Sequence, residues 1–164
     1  MQKTLMVATV LSALAMAAEA APFETPYALQ SVHADFLARL GDAAERPDEI
    51  GAAARVAADL MATQSIAQER LILPLLGWAD VASTSQRAAL PIMPDHGRIE
   101  AELSQLHDGD VNLVTALVEL FAVAEEGGDA ETAHLAETMI WHQTSDIDVL
   151  YPAALLVEAA LMAP

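Results

Sequence analysis

The chain has 164 residues, 54% of them hydrophobic, with 24 acidic against 7 basic side chains, no cysteine and a formal net charge of -17. That composition describes one globular core and excludes a disordered or fibrous chain, while the charge disfavours nucleic acid and anionic membrane surfaces as partners. The absence of cysteine excludes disulfides, thiolate nucleophiles and thiolate-held metals, so any metal must use His, carboxylate or amide donors.

Residues 1–20 read as a secretory signal peptide. Lys3 supplies a basic start, Leu5 to Ala18 a mostly apolar stretch, and Ala18-Glu19-Ala20 a small-x-small cleavage site. About fourteen apolar residues fall short of the roughly 20 that cross a bilayer, so no stable membrane anchor is expected after cleavage. The mature domain, residues 21–164, is expected to be periplasmic or secreted. Removing Lys3, the only lysine, together with Glu19 leaves the net charge at -17.

Thr25-Pro26 caps a first helix over about 26–45, with Leu29, Val32, Phe36, Leu37 and Leu40 at helical spacing. Pro47-Asp48-Glu49 opens a second, which carries Val56, Leu60, Ile66 and Leu73 and is expected to end near 76, at Pro74 and Gly77. Residues 78–94 read as a long crossover. Asp95 caps a third helix that runs through Ile99, Leu103, Leu106, Leu113, Leu117 and Leu120 to Glu126. Gly127-Gly128-Asp129 turns the chain into a fourth helix from about 130 to Pro152, followed by a last helical segment from Ala153 to Met162. No run alternates as a strand does. The expected class is all-α, an up-and-down four-helix bundle.

A repeat underlies this pattern. A shift of 78 residues aligns Met61 with Met139, Gln64 with His142, Gln68 with Asp146, Leu73 with Tyr151 and Pro74 with Pro152. A shift of 77 aligns Leu29 with Leu106, His33 with Asp110, Phe36 with Leu113 and Leu40 with Leu117. The bundle is then two pseudo-repeated helical hairpins, whose equivalent polar positions surround one central cavity.

His142-Gln-Thr-Ser-Asp146, followed by Tyr151-Pro152, resembles the His-x-x-x-Glu/Asp element of the hemerythrin-like (HHE cation-binding) family. A His and a carboxylate four residues apart leave one helix face a turn apart and can grip one ion or neighbouring ions. The resemblance covers about residues 26–157. It implies a four-helix bundle that holds iron, often two irons, through inward His and carboxylates. On this resemblance His33, His142 and Asp146 match ligand positions. Asp110 stands where a His is usual, and Gln64 and Gln68 stand where the second helix has His and Glu. Amides are weak ligands for ferrous iron, so the resemblance implies a reduced site that holds one iron or similar cation weakly.

Blander readings stand beside these. His33 tucked against the core, Asp110 facing solvent with His107 in its place, and Gln64 and Gln68 bonded to each other or to Asp146 all remain open. His96 and Glu100 also have ligand spacing, but His96 lies roughly 21 Å along the helix from Asp110 and reads as first-turn surface. Glu131 and His134 form a lone Glu-x-x-His without the second element that a ferritin-like site needs. The methionines and Trp141 are expected to fill the core. No catalytic triad or phosphate loop is present, so hydrolase and nucleotide functions are not expected, and the depleted ligand set argues against an oxidase or peroxidase, so an enzyme is not expected. The alternative to metal binding is a metal-free structural or partner-binding bundle, with its protein partner unspecified.

Overall fold

The computed structural model describes residues 27–82 and 96–162. They form helices α1 (Tyr27–Ala44), α2 (Glu49–Ala82), α3 (His96–Glu126) and α4 (Ala130–Ser145), then a π-helical turn (Asp146–Leu150) that leads directly into α5 (Tyr151–Met162). Among the described residues there is no strand. The expected signal peptide, the cap at Asp95 and most of the crossover lie outside them.

Two boundaries differ from the sequence reading. Helix α2 does not stop near 76 but passes through Pro74 to Ala82. Proline removes one helical hydrogen bond and crowds the preceding turn. Here Leu71, Ile72, Leu73 and Leu75 are all buried around it, and each buried aliphatic side chain stabilises by about 1.5–3 kcal/mol. Pro152 likewise does not end a helix. It directly follows the π turn as the second residue of α5, and the helix continues through it to Met162.

Both short turns lie at one end of the molecule. Asp48 accepts a hydrogen bond from the Gly51 N–H at 2.9 Å, capping α2. Gly128, at φ 69°, closes α3, with the Asp129 N–H bonded to the Ala124 carbonyl and the Gly128 N–H to that of Glu125. Asp129 then caps α4 through the Thr132 N–H at 3.1 Å. Arg46 donates to both Asp48 and Asp129, tying the two turns together. The start of α2 meets the end of α3 where Ile50 packs on Gly127.

The buried side chains fall into two apolar clusters. Phe36, Leu40, Ile50, Met61, Leu113, Leu117, Leu120 and Met139 form the one nearer the turns. Leu71, Ile72, Leu75, Ile99, Leu103, Leu106, Tyr151 and Ala154 form the other. Between them every helix of the bundle contributes a polar residue: His33, Gln64 and Gln68, Asp110, and Asp146, all buried. A buried polar side chain costs stability unless it is partnered, so this layer reflects the site and not the core. Trp141, expected in the core, is 68% exposed. It lies two residues from buried Met139, about 200° around the helix.

Candidate metal centre

Each polar side chain reaches the central layer on the apolar stripe of its helix. His33 shares its stripe with Phe36 and Leu40, and Asp110 shares its own with Leu106, Leu113 and Leu117, which is why both are buried. Asp110 is fully enclosed, which overturns its solvent-facing reading.

His33, His142 and Asp146 come together, with one donor atom from each lying within 4.8 Å of the other two. His33 Nε2 is 3.2 Å from His142 Nε2, and His142 Nε2 is 3.6 Å from Asp146 Oδ2. The two rings meet edge to face at 5.3 Å, and Phe36 packs edge to face on His142 at 5.3 Å, which fixes the orientation of that imidazole. Donors about 2.1 Å from one divalent ion sit roughly 3.0–3.4 Å apart. The observed separations therefore suit a shared ion with small side-chain rotations. His33 Nδ1 is buried and has no hydrogen-bond partner among the described residues. Burial, and then the neighbouring His142, lower the His33 pKa to about 4, so its ring is neutral and holds a lone pair at neutral pH. Burial raises the Asp146 pKa, opposed by His142 and by a hydrogen bond from Gln68.

Asp110 does not join this triad. It accepts a hydrogen bond from the Gln64 amide, which also donates to the Leu106 carbonyl at 3.0 Å and to the Tyr151 hydroxyl at 3.1 Å. One NH2 group has two protons for these three acceptors. Burial pushes the Asp110 pKa up to about 6, against hydrogen bonding from Tyr151 and Gln64, and its Oδ2 is left without a partner. The Gln68 amide donates to Asp146 Oδ2 at 3.0 Å and to the Tyr151 hydroxyl at 2.8 Å. Gln64 and Gln68 are thus bridged through Tyr151 and make no hydrogen bond to each other among those observed. Gly109 makes room for this arrangement, since a Cβ there would lie 2.3 Å from Gln64 Oε1.

Tyr151 is a site residue that the sequence reading placed only in the repeat and beside Pro152 after the His142 and Asp146 element, with no role in the site. Five residues beyond Asp146, it would point away from that side chain on an ordinary α-helix, about 140° around. The π turn corrects this by closing a hydrogen bond from the Tyr151 N–H to the Asp146 carbonyl, so that both side chains reach the same Gln68 amide. The sequence signs were the pairing of polar Tyr151 with apolar Leu73 in the repeat and its place after the His142 and Asp146 element.

His96 is exposed but not idle. Its Nδ1 lies 2.9 Å from Glu158, which is 2% exposed, and its Nε2 lies 3.2 Å from Glu100. It fastens the start of α3 to α5. Among the described residues His134 pairs with Glu137, at 3.6 Å on the surface.

No family model, curated protein or solved structure matches the chain.

Proposed function

We propose that this is an exported, hemerythrin-like bundle of up-and-down topology that binds one iron or similar divalent ion weakly, and performs no catalysis. The observation that carries the reading is the convergence of three buried donors, His33, His142 and Asp146, at separations one ion can bridge. Iron(II) suits an imidazole and carboxylate donor set, which holds it less tightly than it would later divalent metals. A site with three protein ligands leaves positions for water or a small ligand.

The contact pattern supports the pseudo-twofold hairpin arrangement. Exchanging the two hairpins replaces His33 by Asp110 and His142 by Gln64, so the His33 to His142 contact corresponds to the Asp110 to Gln64 contact. Gln68 and Asp146 exchange with one another, and they are bonded to each other. One half of the layer therefore keeps cation donors, while the other has closed into hydrogen bonds. A second ion finds no free ligand set in that half.

One observation favours the metal-free alternative. The Gln68 amide is bonded to Asp146 Oδ2, the same oxygen that faces His142. An ion must compete for that oxygen, which limits affinity. Cobalt(II) titration of the metal-free full-length protein decides between the two. Ligand-field absorption that saturates, and is absent from the His33→Ala and His142→Ala variants, supports metal binding. Titration without such bands supports the structural bundle.

A further inference from the structure

Gln68 lies beside the triad with the wrong end of its amide toward a cation. Its Nε2 is 3.0 Å from Asp146 Oδ2, a spacing that two ligands of one divalent ion can adopt, and that oxygen is also the one facing His142. Its other end, Oε1, is buried without a hydrogen-bond partner among the described residues, in a residue that is 1% exposed. A carboxylate only accepts hydrogen bonds, so without an ion the amide must present N–H to Asp146. With an ion the requirement reverses, because an N–H group repels the cation and an amide oxygen ligates it. The terminal torsion of glutamine is broad and roughly two-fold. A half-turn about it exchanges the two ends and leaves the rest of the side chain in place.

We infer that Gln68 is a reversible fourth ligand, which turns its amide over when an ion enters beside His33, His142 and Asp146 and presents Oε1 where Nε2 now lies. The inference rests on the metal-binding reading of the site. Tyr151 suits both arrangements. Its hydroxyl accepts from the Gln64 amide at 3.1 Å and from the Gln68 amide at 2.8 Å. A hydroxyl can equally donate, so after the turn it bonds to Gln68 Oε1 while still accepting from Gln64. The Gln68 N–H group then takes the place of the unpartnered oxygen, so the amide has one unpartnered end in either state. The ion displaces the hydrogen bond that Asp146 receives from Gln68, and gains an oxygen ligand from the same side chain.

Cobalt(II) titration of the metal-free full-length protein and of its Gln68→Leu variant tests this, with helical circular dichroism as the check on folding. Leucine removes both ends of the amide. If Gln68 only competed for Asp146, its loss would tighten binding about tenfold; because it is a ligand, its loss weakens binding about tenfold. A second measurement uses the wild type itself. With glutamine carrying carbon-13 at the side-chain carbonyl, the zinc-loaded minus metal-free infrared spectrum shows one carbonyl band lowered in frequency, and Gln68→Glu lacks it. Unchanged or tighter cobalt binding by Gln68→Leu overturns the inference and leaves the metal-binding reading standing. So does the absence of a lowered carbonyl band in the zinc-loaded wild type, even with weaker binding by Gln68→Leu, since Gln68 would then only position Asp146. A wild type that binds no cobalt removes the metal-binding reading, and this inference with it.

Discussion

On α2 the central layer is met by Gln64 and Gln68, and on α4 and the π turn by His142 and Asp146, each pair four residues apart. The amides donate to Asp110, Asp146, Tyr151 and the Leu106 carbonyl, while Asp110 Oδ2 and Gln68 Oε1 are left without a partner among the described residues. On the other side the His33 and His142 imidazoles, in hydrogen-bonding contact at 3.2 Å, and the Asp146 carboxylate bring three atoms able to ligate a cation within 4.8 Å of one another. Spacing on a helix thus sets where side chains meet, whereas their chemistry decides whether the meeting point holds a cation or closes on itself.

Making the two sides alike is the strongest way to break this contrast. Gln64→His/Gln68→Glu places imidazole and carboxylate on α2, and iron affinity should rise by about two orders of magnitude, with charge-transfer absorption on oxidation. Anaerobic iron titration followed by a spectrum checks this. No gain would show that the two sides do not share a cavity. Emptying the α4 side acts in the opposite direction. His142→Ala removes the central donor of the triad, and metal affinity should fall at least about 100-fold while the helical content is kept, as measured by calorimetric titration and circular dichroism.

Two smaller changes probe the closed side. Tyr151→Phe strips a buried acceptor from both glutamine amides, at a cost of about 1–3 kcal/mol, read as a lower urea midpoint with an unchanged slope. Gly109→Ala sets a methyl 2.3 Å from Gln64 Oε1, and should destabilise by about 1–3 kcal/mol. Gly41→Ala is its control. That glycine is helical with nothing within 4 Å of its Cβ position, so alanine there should stabilise by about 0.5–1 kcal/mol. If both substitutions stabilised, Gln64 would not lie against Gly109.

The pH response distinguishes the two sides further. His33 titrates at about 4 when folded, below its usual 6.5, so the unfolded state binds its proton first and stability is lost as pH falls from 6.5 toward 4. Asp110 titrates at about 6 when folded, above its usual 3.8. Its contribution is present below 3.8 and is lost as pH rises to 6. Across pH 4 to 6 the two trends oppose each other. Asp110→Asn removes only the second, so the metal-free variant should gain on the wild type as pH rises, by at most about 3 kcal/mol. Urea denaturation at a series of pH values measures the difference.

Much of the helical scaffold is legible in the sequence, because apolar stripes such as Leu113, Leu117 and Leu120 repeat at helical spacing and the Gly128 and Asp129 turn carries its own chemistry. The same stripes carry His33 and Asp110 inward. What spacing does not reveal is azimuth between helices. Asp110 and Asp146 are both buried, yet only Asp146 lies beside the histidines, and that follows from how α3 and α4 are rotated in the bundle. A π turn is equally silent, since nothing in Asp146-Ile-Asp-Val-Leu150 breaks helical composition. It nevertheless decides that Tyr151 joins the site. Trp141 was misread from its size, although its place beside inward-facing His142 and two residues from Met139 sets it on the outer face.

The central claim is that one half of the layer holds a cation and the other is closed. Equilibrium dialysis of the full-length protein against iron(II) under anaerobic conditions, with metal and protein counted after saturation, tests it directly. The account predicts a limit of one ion per chain, which His142→Ala abolishes and Gln64→Ala leaves in place. Two tightly held ions per chain, or one ion retained by His142→Ala, would contradict it.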